Sequence, residues 1–237
     1  MKVSIVTTVF NHERYLREAM HSVIFQNFKD LEYLLWDDGS TDNSAILAYD
    51  VFFHHPQVHV IEAPHLGRIG ALRAACSLAR GEYIGLVDAD DILGKDALPA
   101  CARFLDEHPE AGLVYSDHEI IDAEGRNQGK GLRCLMTYSR EAELQFFLTH
   151  HFRLMRRSAF EDVGGFNPEY PAALDYEFCL RFSEKYEIAR LPETHYYYRH
   201  HDNRMSVRDR DIQVGCARRA VLEARARRSA VETKVKA

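Results

Sequence analysis

Three carboxylates stand within four residues in the segment YIGLVDADDIL, residues 83–93, where an apolar run ends. They are Asp88, Asp90 and Asp91. In an extended chain, side chains two residues apart point to the same side, so Asp88 and Asp90 would act together. Carboxylates this close repel each other unless a cation lies between them, and Mg²⁺ and Mn²⁺ prefer oxygen ligands of this kind. The segment therefore predicts a site for a divalent metal.

The same segment has a second interpretation, as an acidic loop that leads into a helix. Carboxylates are favoured at a helix N-terminus, where they meet the positive end of the helix dipole. Asp90 or Asp91 would suit that place. Taken alone, the segment leaves both interpretations open.

A second acidic segment, WDDGSTDNS, spans residues 36–44. Asp38 could accept a hydrogen bond from a nucleotide base, although Asp, Gly, Ser and Thr also dominate tight turns. The segment GRIG, residues 67–70, matches neither GxGxxG nor the P-loop. A dehydrogenase or a kinase-type phosphate site is therefore disfavoured.

Segments typical of strands and of helices alternate through the first half of the chain. VSIVTTV, residues 3–9, is short and β-branched, and the following segment has one apolar stripe at helical spacing. This pattern repeats and predicts an α/β fold, with a doubly wound, mainly parallel sheet. Asn11, Asp38, Glu62 and the 88–91 cluster each follow a strand, so we expect them at one rim, where such sheets bind ligands.

The second half is less regular and predicts a smaller portion of mixed strand direction. AGLVYSDHEIIDAEGRN, residues 111–127, is typical of a strand and a turn, and DYEFCLRFSEKY, residues 175–186, of an amphipathic helix. Residues 207–237 form a basic C-terminal helix or tail, with Ala217, Val221, Leu222 and Ala226 as a thin apolar face. This segment could be simply solvated, or it could lie on an anionic membrane surface near a lipid-linked acceptor.

Composition narrows the class of protein. The net charge of −6 over 237 residues gives no electrostatic case for binding nucleic acid. The five cysteines include no CxxC pair, as expected of reduced thiols in the cytosol. We find neither a signal peptide nor an apolar run of about 20 residues, the length that spans a bilayer. We therefore expect a cytoplasmic protein, with peripheral membrane contact as the alternative.

The order of the motifs resembles that of the family 2 glycosyltransferases, which have the GT-A fold. The likeness covers about Val3 to Ser206 and implies a nucleotide-binding half over residues 1–115 and an acceptor half over residues 116–206. Its segments, in family order, include VSIVTTVFNHERYLREAMHSVIFQ, LLWDDGSTDNS, HLGRIGALRAACSLARGEYIGLVDADD, LDYEFCLRF and YYYRHHDNRMS.

The resemblance implies a role for each matching residue. Asp175 would be the catalytic base, and Asp90 and His201 would hold the metal, with His200 as the alternative to His201. Asp91 is then left to cap the next helix. The nucleotide-sugar contacts would be Thr7, Phe10, Asp38 for the uracil, Arg68 for the base or diphosphate, and Asp88 with Asp90 for the ribose, the sugar and the metal.

Two departures from the family pattern bear on these roles. Leu174 precedes Asp175 where many members have Glu, and Leu72 with Arg73 replaces a common Arg-Asn pair. The first leaves the base in place, whereas the second weakens the expected contacts of that loop with the nucleotide.

The resemblance implies an inverting transfer of a sugar from a nucleotide sugar, expected to be a UDP-sugar, to a hydroxyl of a glycan or lipid-linked acceptor. Mn²⁺ or Mg²⁺ would be the cofactor. Two alternatives are a nucleotidyltransferase that makes a sugar nucleotide and a module that binds nucleotide sugars without turnover. The first lacks a basic Gly-rich loop for a triphosphate, and the second would not need the complete catalytic set.

Overall fold

Strands and helices alternate along the chain in the computed structural model, which describes residues 1–202 and 204–235. The strands are β1 (Val3–Val9), β2 (Leu31–Asp37), β3 (Val58–Glu62), β4 (Tyr83–Leu86), β5 (Ile92–Leu93), β6 (Ala111–Ile121), β7 (Asn127–Lys130), β8 (Arg153–Arg156) and β9 (Glu187–Arg199). The helices are α1 (Glu13–Ile24), α2 (Ser44–Phe52), α3 (Gly67–Ser77), α4 (Ala97–Glu107), α5 (Arg140–Glu143), α6 (Arg157–Asp162), α7 (Leu174–Lys185), α8 (Met205–Arg208) and α9 (Arg210–Val235). Residues 236 and 237 of the predicted C-terminal segment lie outside the described residues.

The described strands form one mixed sheet in the order β3-β2-β1-β4-β8-β6-β9-β5, with β7 beside β6. The first four strands along the chain pair in parallel, and α1, α2 and α3 connect them. In the second half, β8 is antiparallel to β4 and β6, whereas β9 is parallel to β6 and antiparallel to β5. The predicted α/β fold with a mixed second portion is confirmed.

Helices cover both faces of this sheet, which explains why β1 is apolar on both sides. Ile5 points into the core that contains Leu16 of α1, whereas Val6 points into the core that contains Ala75 of α3 and Phe178 of α7. Successive side chains of a strand face opposite sides, so a β-branched run satisfies both cores.

Asp91 does not cap the helix that follows it, and that prediction was wrong. Helix α4 begins at Ala97, and Asp96 occupies the N-cap position. The short strand β5 intervenes and pairs with β9. Asp91 is buried and accepts a hydrogen bond from the backbone N–H of Arg199 at 2.7 Å.

The basic C-terminal segment forms α9 and packs on α7. Ala220 and Ala224 are buried there, whereas Leu222, predicted to lie on the apolar face, is 68% exposed. Ala226, predicted for the same face, is also exposed. Arg227 forms an ion pair with Glu184 of α7 at 2.8 Å. Among the helices of the described ranges, none is long and apolar enough to cross a membrane.

We predict that Gly85→Ala destabilises the protein by about 1–3 kcal/mol, the usual cost of overpacking. A Cβ atom at Gly85 would lie 2.9 Å from Cδ1 of Ile5 and 2.9 Å from Cζ of Phe152, both in the core. Urea unfolding measures the change in the free energy of unfolding. Gly215→Ala is the control, because it adds a methyl group in open space on α9 and should stabilise the helix by up to about 1 kcal/mol. Equal stability of wild type and Gly85→Ala would contradict the tight contact.

Candidate active site

One cavity of about 890 Å³ opens at the rim where β1, β2 and β4 end. Its wall also includes residues of β6, of the segment before β8 and of the first turn of α7. Predicted site residues from distant parts of the chain therefore meet here. Phe10, Asp38, Arg68, Asp88, Asp90 and Asp175 line the cavity, and so does His200, whereas Thr7 and His201 are not among the lining residues.

At one end of the cavity, two aromatic rings lie beside a buried carboxylate. The ring of Phe10 lies 4.3 Å from the ring of His65, with an angle of 35° between their planes. Asp38 is 2% exposed, and its Oδ1 accepts the backbone N–H of Leu66 at 2.8 Å, while its Oδ2 lies 2.9 Å from Nδ1 of His65. A planar ring could stack on the aromatic pair and donate to Asp38. The chain from β3 into α3 supplies His65 and Leu66, which hold this carboxylate in place.

Thr7 lies away from the cavity, contrary to the predicted nucleotide contact. Its side chain is fully buried, and Oγ1 donates to the carbonyl of Val87 at 2.8 Å and accepts from the hydroxyl of Tyr33 at 3.1 Å. Thr8, the next residue of the strand, lines the cavity instead. Adjacent strand residues face opposite sides, so a difference of one position reverses the role. Thr7 ties β1 to the segment that carries Asp88.

Asp88 lies among other charges in the middle of the cavity wall. Nη2 of Arg68 is 3.7 Å from its Oδ1, and Nε2 of His151 is 3.7 Å from its Oδ2. Burial raises the pKa of Asp88, Arg68 opposes that rise, and the nearby charges of Asp90 and Asp175 add to it. For Arg68, burial disfavours the charge, but the same three carboxylates raise its pKa. Arg68 and the carboxylates thus compensate one another.

Asp90 and His201 meet directly, although 111 positions separate them in the sequence. Nε2 of His201 lies 2.8 Å from Oδ2 of Asp90. Burial opposes the charge on Asp90, yet the bond with His201 and the proximity of His12 lower its pKa. Of the two candidate histidines, His201 is therefore the one in contact with the acidic cluster.

Arg199 and Tyr196 hold this cluster from β9. Nε of Arg199 donates to the carbonyl of Asp90 at 2.8 Å, and its Nη2 lies 2.6 Å from Glu18 of α1. The backbone N–H of Asp88 donates to the hydroxyl of Tyr196 at 3.2 Å. Burial and the two neighbouring carboxylates raise the pKa of Asp91 well above its usual range. Burial thus disfavours the charged form of Asp91, whereas the contacts of Asp90 favour its charged form.

Asp175 reaches the cavity from the first turn of α7. Its Oδ2 lies 3.4 Å from Nη2 of Arg153, a buried arginine of β8, and its side chain is 22% exposed. Nη1 of Arg153 donates to the carbonyl of Thr149 at 2.8 Å, which fixes the guanidinium. Asp175 is therefore positioned by a cation and remains accessible to a ligand.

The family is decided by comparison with known proteins. The profile of the family described as Glycosyl transferase family 2 matches residues 4–164, more than half of the chain. The chain belongs to glycosyl transferase family 2. The predicted family membership is thereby confirmed.

Two of the similar curated proteins are a chondroitin synthase and a hyaluronan synthase. The chondroitin synthase of Escherichia coli is 32% identical over 211 residues, and the hyaluronan synthase of Pasteurella multocida is 30% identical over 211 residues. Both alignments cover 89% of this chain but only 31% and 22% of the relatives. The chain spans about a third or less of the length of these relatives.

Solved structures confirm the fold of this glycosyltransferase. S. aureus TarS 1-349 in complex with UDP-GlcNAc superposes with a TM-score of 0.71 at 22% identity, covering 86% of this chain and 60% of that one. The mannosyltransferase PcManGT from Pyrobaculum calidifontis, in complex with GDP-Man and Mn²⁺, superposes with a TM-score of 0.67 at 18% identity, covering 90% and 60%. At these identities the likeness concerns the fold.

The acidic cluster offers suitable donors for a divalent metal. Adjacent ligands of an octahedral Mg²⁺ or Mn²⁺ lie about 3 Å apart, and the facing atoms of Asp90 and His201 are separated by 2.8 Å. Ligand atoms of Asp88, Asp91 and His151 also lie within 4.8 Å of one another. Oxygen donors with one imidazole suit Mn²⁺ or Mg²⁺, so the residues fit the predicted cofactor.

Several residues of this site were not identified from the sequence. His65 and Arg199 lie within the family segments but were given no role, and Arg153 lies outside the quoted segments. Each contacts a site residue that is distant along the chain. Arg199 directly precedes the pair His200 and His201, and Arg153 lies in LTHHFRLM, residues 148–155, which contains a second pair of histidines. These neighbours were the signals available.

The remaining wall contains three buried histidines that are held neutral. His118 of β6 lies 4.7 Å from His150, ring centre to ring centre, and His150 lies 4.8 Å from His151. Burial and the nearby Arg133 lower the pKa of His118 to about 4. Burial also lowers the pKa of His150 and of His151 well below the usual range. Neutral imidazoles can donate and accept hydrogen bonds beside a ligand.

We predict that acid destabilises this domain through these histidines. The unfolded chain takes up a proton on His118 below about pH 6.5, whereas the folded protein does so only near pH 4, so unfolding gains favour as the pH falls between these values. Between pH 7 and pH 5, His118 alone should account for about 2 kcal/mol of lost stability. Urea unfolding at both pH values, with His118→Gln as the comparison, measures this loss. An equal loss in both proteins would contradict the neutral state of His118.

Proposed function

We propose that this domain transfers a sugar, with inversion, from a UDP-sugar to a hydroxyl of a glycan or lipid-linked acceptor, with Mn²⁺ or Mg²⁺ as cofactor. The observation that carries the proposal is the arrangement within one cavity. The buried carboxylate of Asp38 lies beside an aromatic pair, Asp90 lines the cavity and contacts the buried His201, and a separate carboxylate, Asp175, comes from α7.

The donor end is supported by the chemistry of Asp38. Uracil presents one ring N–H, and a fixed carboxylate is a suitable acceptor for it, while Phe10 and His65 offer a stacking surface. Arg68 lies beside Asp88, where it would meet the negative charge of a diphosphate. The UDP-GlcNAc complex of the structurally similar TarS supports a UDP-sugar.

The metal would be held by Asp90 and His201, with Asp88 beside it. When bound, a divalent ion supplies positive charge that stabilises the leaving diphosphate. Arg199 and His201 contribute independently of the metal, since they hold Asp90 in one position. The Mn²⁺ in the PcManGT complex supports this cofactor class.

Asp175 would act as the general base. It would accept the proton of the acceptor hydroxyl as that oxygen attacks the anomeric carbon, and the bond to the nucleotide would break on the opposite side. Arg153 would keep the carboxylate oriented toward the acceptor hydroxyl. Asp90 and Asp175 thus have different roles, and neither forms a covalent bond to the sugar.

The acceptor and the location of the protein belong to the same proposal. The names of the relatives, chondroitin synthase and hyaluronan synthase, favour a glycan acceptor. We assign residues 1–115 to the nucleotide, residues 116–206 to the acceptor and α9 to support of α7. A cytoplasmic protein could also contact an anionic membrane through Arg218 and Arg225, which are exposed on α9.

We predict that Asp175→Asn lowers sugar transfer by at least about 10²-fold, because the amide cannot accept the proton. Binding of UDP with Mn²⁺ should change little, since Asp175 does not serve the nucleotide. Release of UDP from a panel of UDP-sugars with glycan acceptors measures transfer, and calorimetry measures binding. Asp50→Asn, an exposed change on α2, is the control. Turnover of Asp175→Asn at the wild-type rate would refute the mechanism, and release of pyrophosphate would indicate nucleotidyl transfer.

We predict that Asp90→Asn abolishes transfer and also weakens UDP binding in the presence of Mn²⁺. The amide retains the shape of the side chain but loses the charge that a divalent ion requires. In EDTA, wild type and variant should bind UDP equally. A Mn²⁺-dependent gain in affinity that is the same in both proteins would exclude Asp90 as a ligand.

A further inference from the structure

The charges of the cavity are unevenly distributed among the elements that form it. The carboxylates among its described lining residues come from the ends of β2 and β4 and from α7, namely Asp38, Asp88, Asp90 and Asp175. The wall formed by β6, by the 3₁₀ turn Leu132–Leu135 and by the segment before β8 contributes none. Its lining residues are His118, Ile120, Gly131, Leu132, Arg133, Gln145, Phe147, His150 and His151.

Arg133 is the cation of this wall. Within residues 1–202 and 204–235, no carboxylate lies within ion-pair distance of its guanidinium, and its side chain is exposed. The neighbouring cations Lys130 and Arg190 differ, because both form ion pairs with the buried Asp117, at 2.6 and 2.8 Å. The charge of Arg133 is therefore available to a ligand in the cavity.

Phe147 holds Arg133 at a defined place relative to the proposed base. Cζ of Arg133 lies 5.6 Å from the ring centre of Phe147, and Cζ of Arg153 lies at the same distance from that ring. Arg153 in turn contacts Asp175. A guanidinium stacked on an aromatic ring keeps its N–H groups directed sideways, where they can bind both oxygens of a carboxylate or phosphate.

We propose that Arg133 recognises an anionic group, a carboxylate or a phosphate, on the acceptor. The inference rests on the proposed function, since it assigns the wall around Arg133 to the acceptor whose hydroxyl approaches Asp175. The neutral histidines and Phe147 would contact the sugar ring that carries this group. Carboxylate and phosphate share the geometry that a guanidinium binds with two hydrogen bonds.

Three oligosaccharide acceptors that differ in one group test this inference. They end in glucuronate, in glucose and in glucose 6-phosphate, and kcat/KM is measured for each by the release of nucleoside diphosphate. Wild type should prefer a charged acceptor, and Arg133→Gln should reduce kcat/KM for it about 10- to 100-fold, mainly through KM. The same variant should leave the glucose acceptor unchanged, and Arg133→Lys should recover part of the loss.

Arg103→Gln is the matched control, because it removes an equal charge from an exposed position on α4, outside the cavity. If wild type prefers the glucuronate acceptor, the recognised group is a carboxylate, and if it prefers the glucose 6-phosphate acceptor, the group is a phosphate. The inference is overturned if wild type has the same kcat/KM for the glucose acceptor as for the charged acceptors. It is also overturned if Arg133→Gln lowers kcat/KM equally for all three acceptors. Release of nucleoside diphosphate without acceptor tests the proposed function separately. If that release occurs and the charged acceptors are not used, the inference fails while the donor reaction stands.

Discussion

The site depends on holding three carboxylates together at the end of one strand. Asp88, Asp90 and Asp91 would repel one another as a free loop, and each is compensated in a different way. Arg68 lies beside Asp88, His201 contacts Asp90, and the buried Asp91 accepts a hydrogen bond from the backbone N–H of Arg199. The result is a compact group of acidic side chains, each with a partner from another part of the chain.

The compensating groups explain the unusual path of the second half of the chain. β9 runs parallel to β6 and then pairs with β5, which places Tyr196, Arg199 and His201 against the acidic segment. Arg199 is buried, and breaking its contacts would leave a buried charge without compensation, which is strongly unfavourable. The mixed strand direction is thus the means by which distant residues reach the first half of the fold.

The two ends of the cavity differ in their electrostatics because different segments of the chain form them. The end proposed to bind the donor combines Asp38, Asp88 and Asp90 with Arg68, a mixture of charges that would pair with a metal ion and a diphosphate. The wall near Asp175 combines neutral imidazoles with the arginines Arg133 and Arg153, and the ring of Phe147 contacts both guanidinium groups. A nucleophile and a leaving group require different surroundings, and the fold supplies them from separate segments.

The spacing of apolar residues in the sequence determined the alternation of strands and helices, and it placed the polar residues at the ends of strands. The family motifs were also readable from the sequence, because each depends on the spacing of a few residues. The contact of Asp90 with His201, the ion pair of Asp175 with Arg153 and the burial of Asp91 join residues 20 or more positions apart, and only the tertiary structure decided them. The error at Thr7 has the same origin, because packing against the core decides that the Thr7 side chain points away from the cavity. Periodicity identifies which residues alternate, whereas the neighbouring strands and helices decide which face meets the cavity.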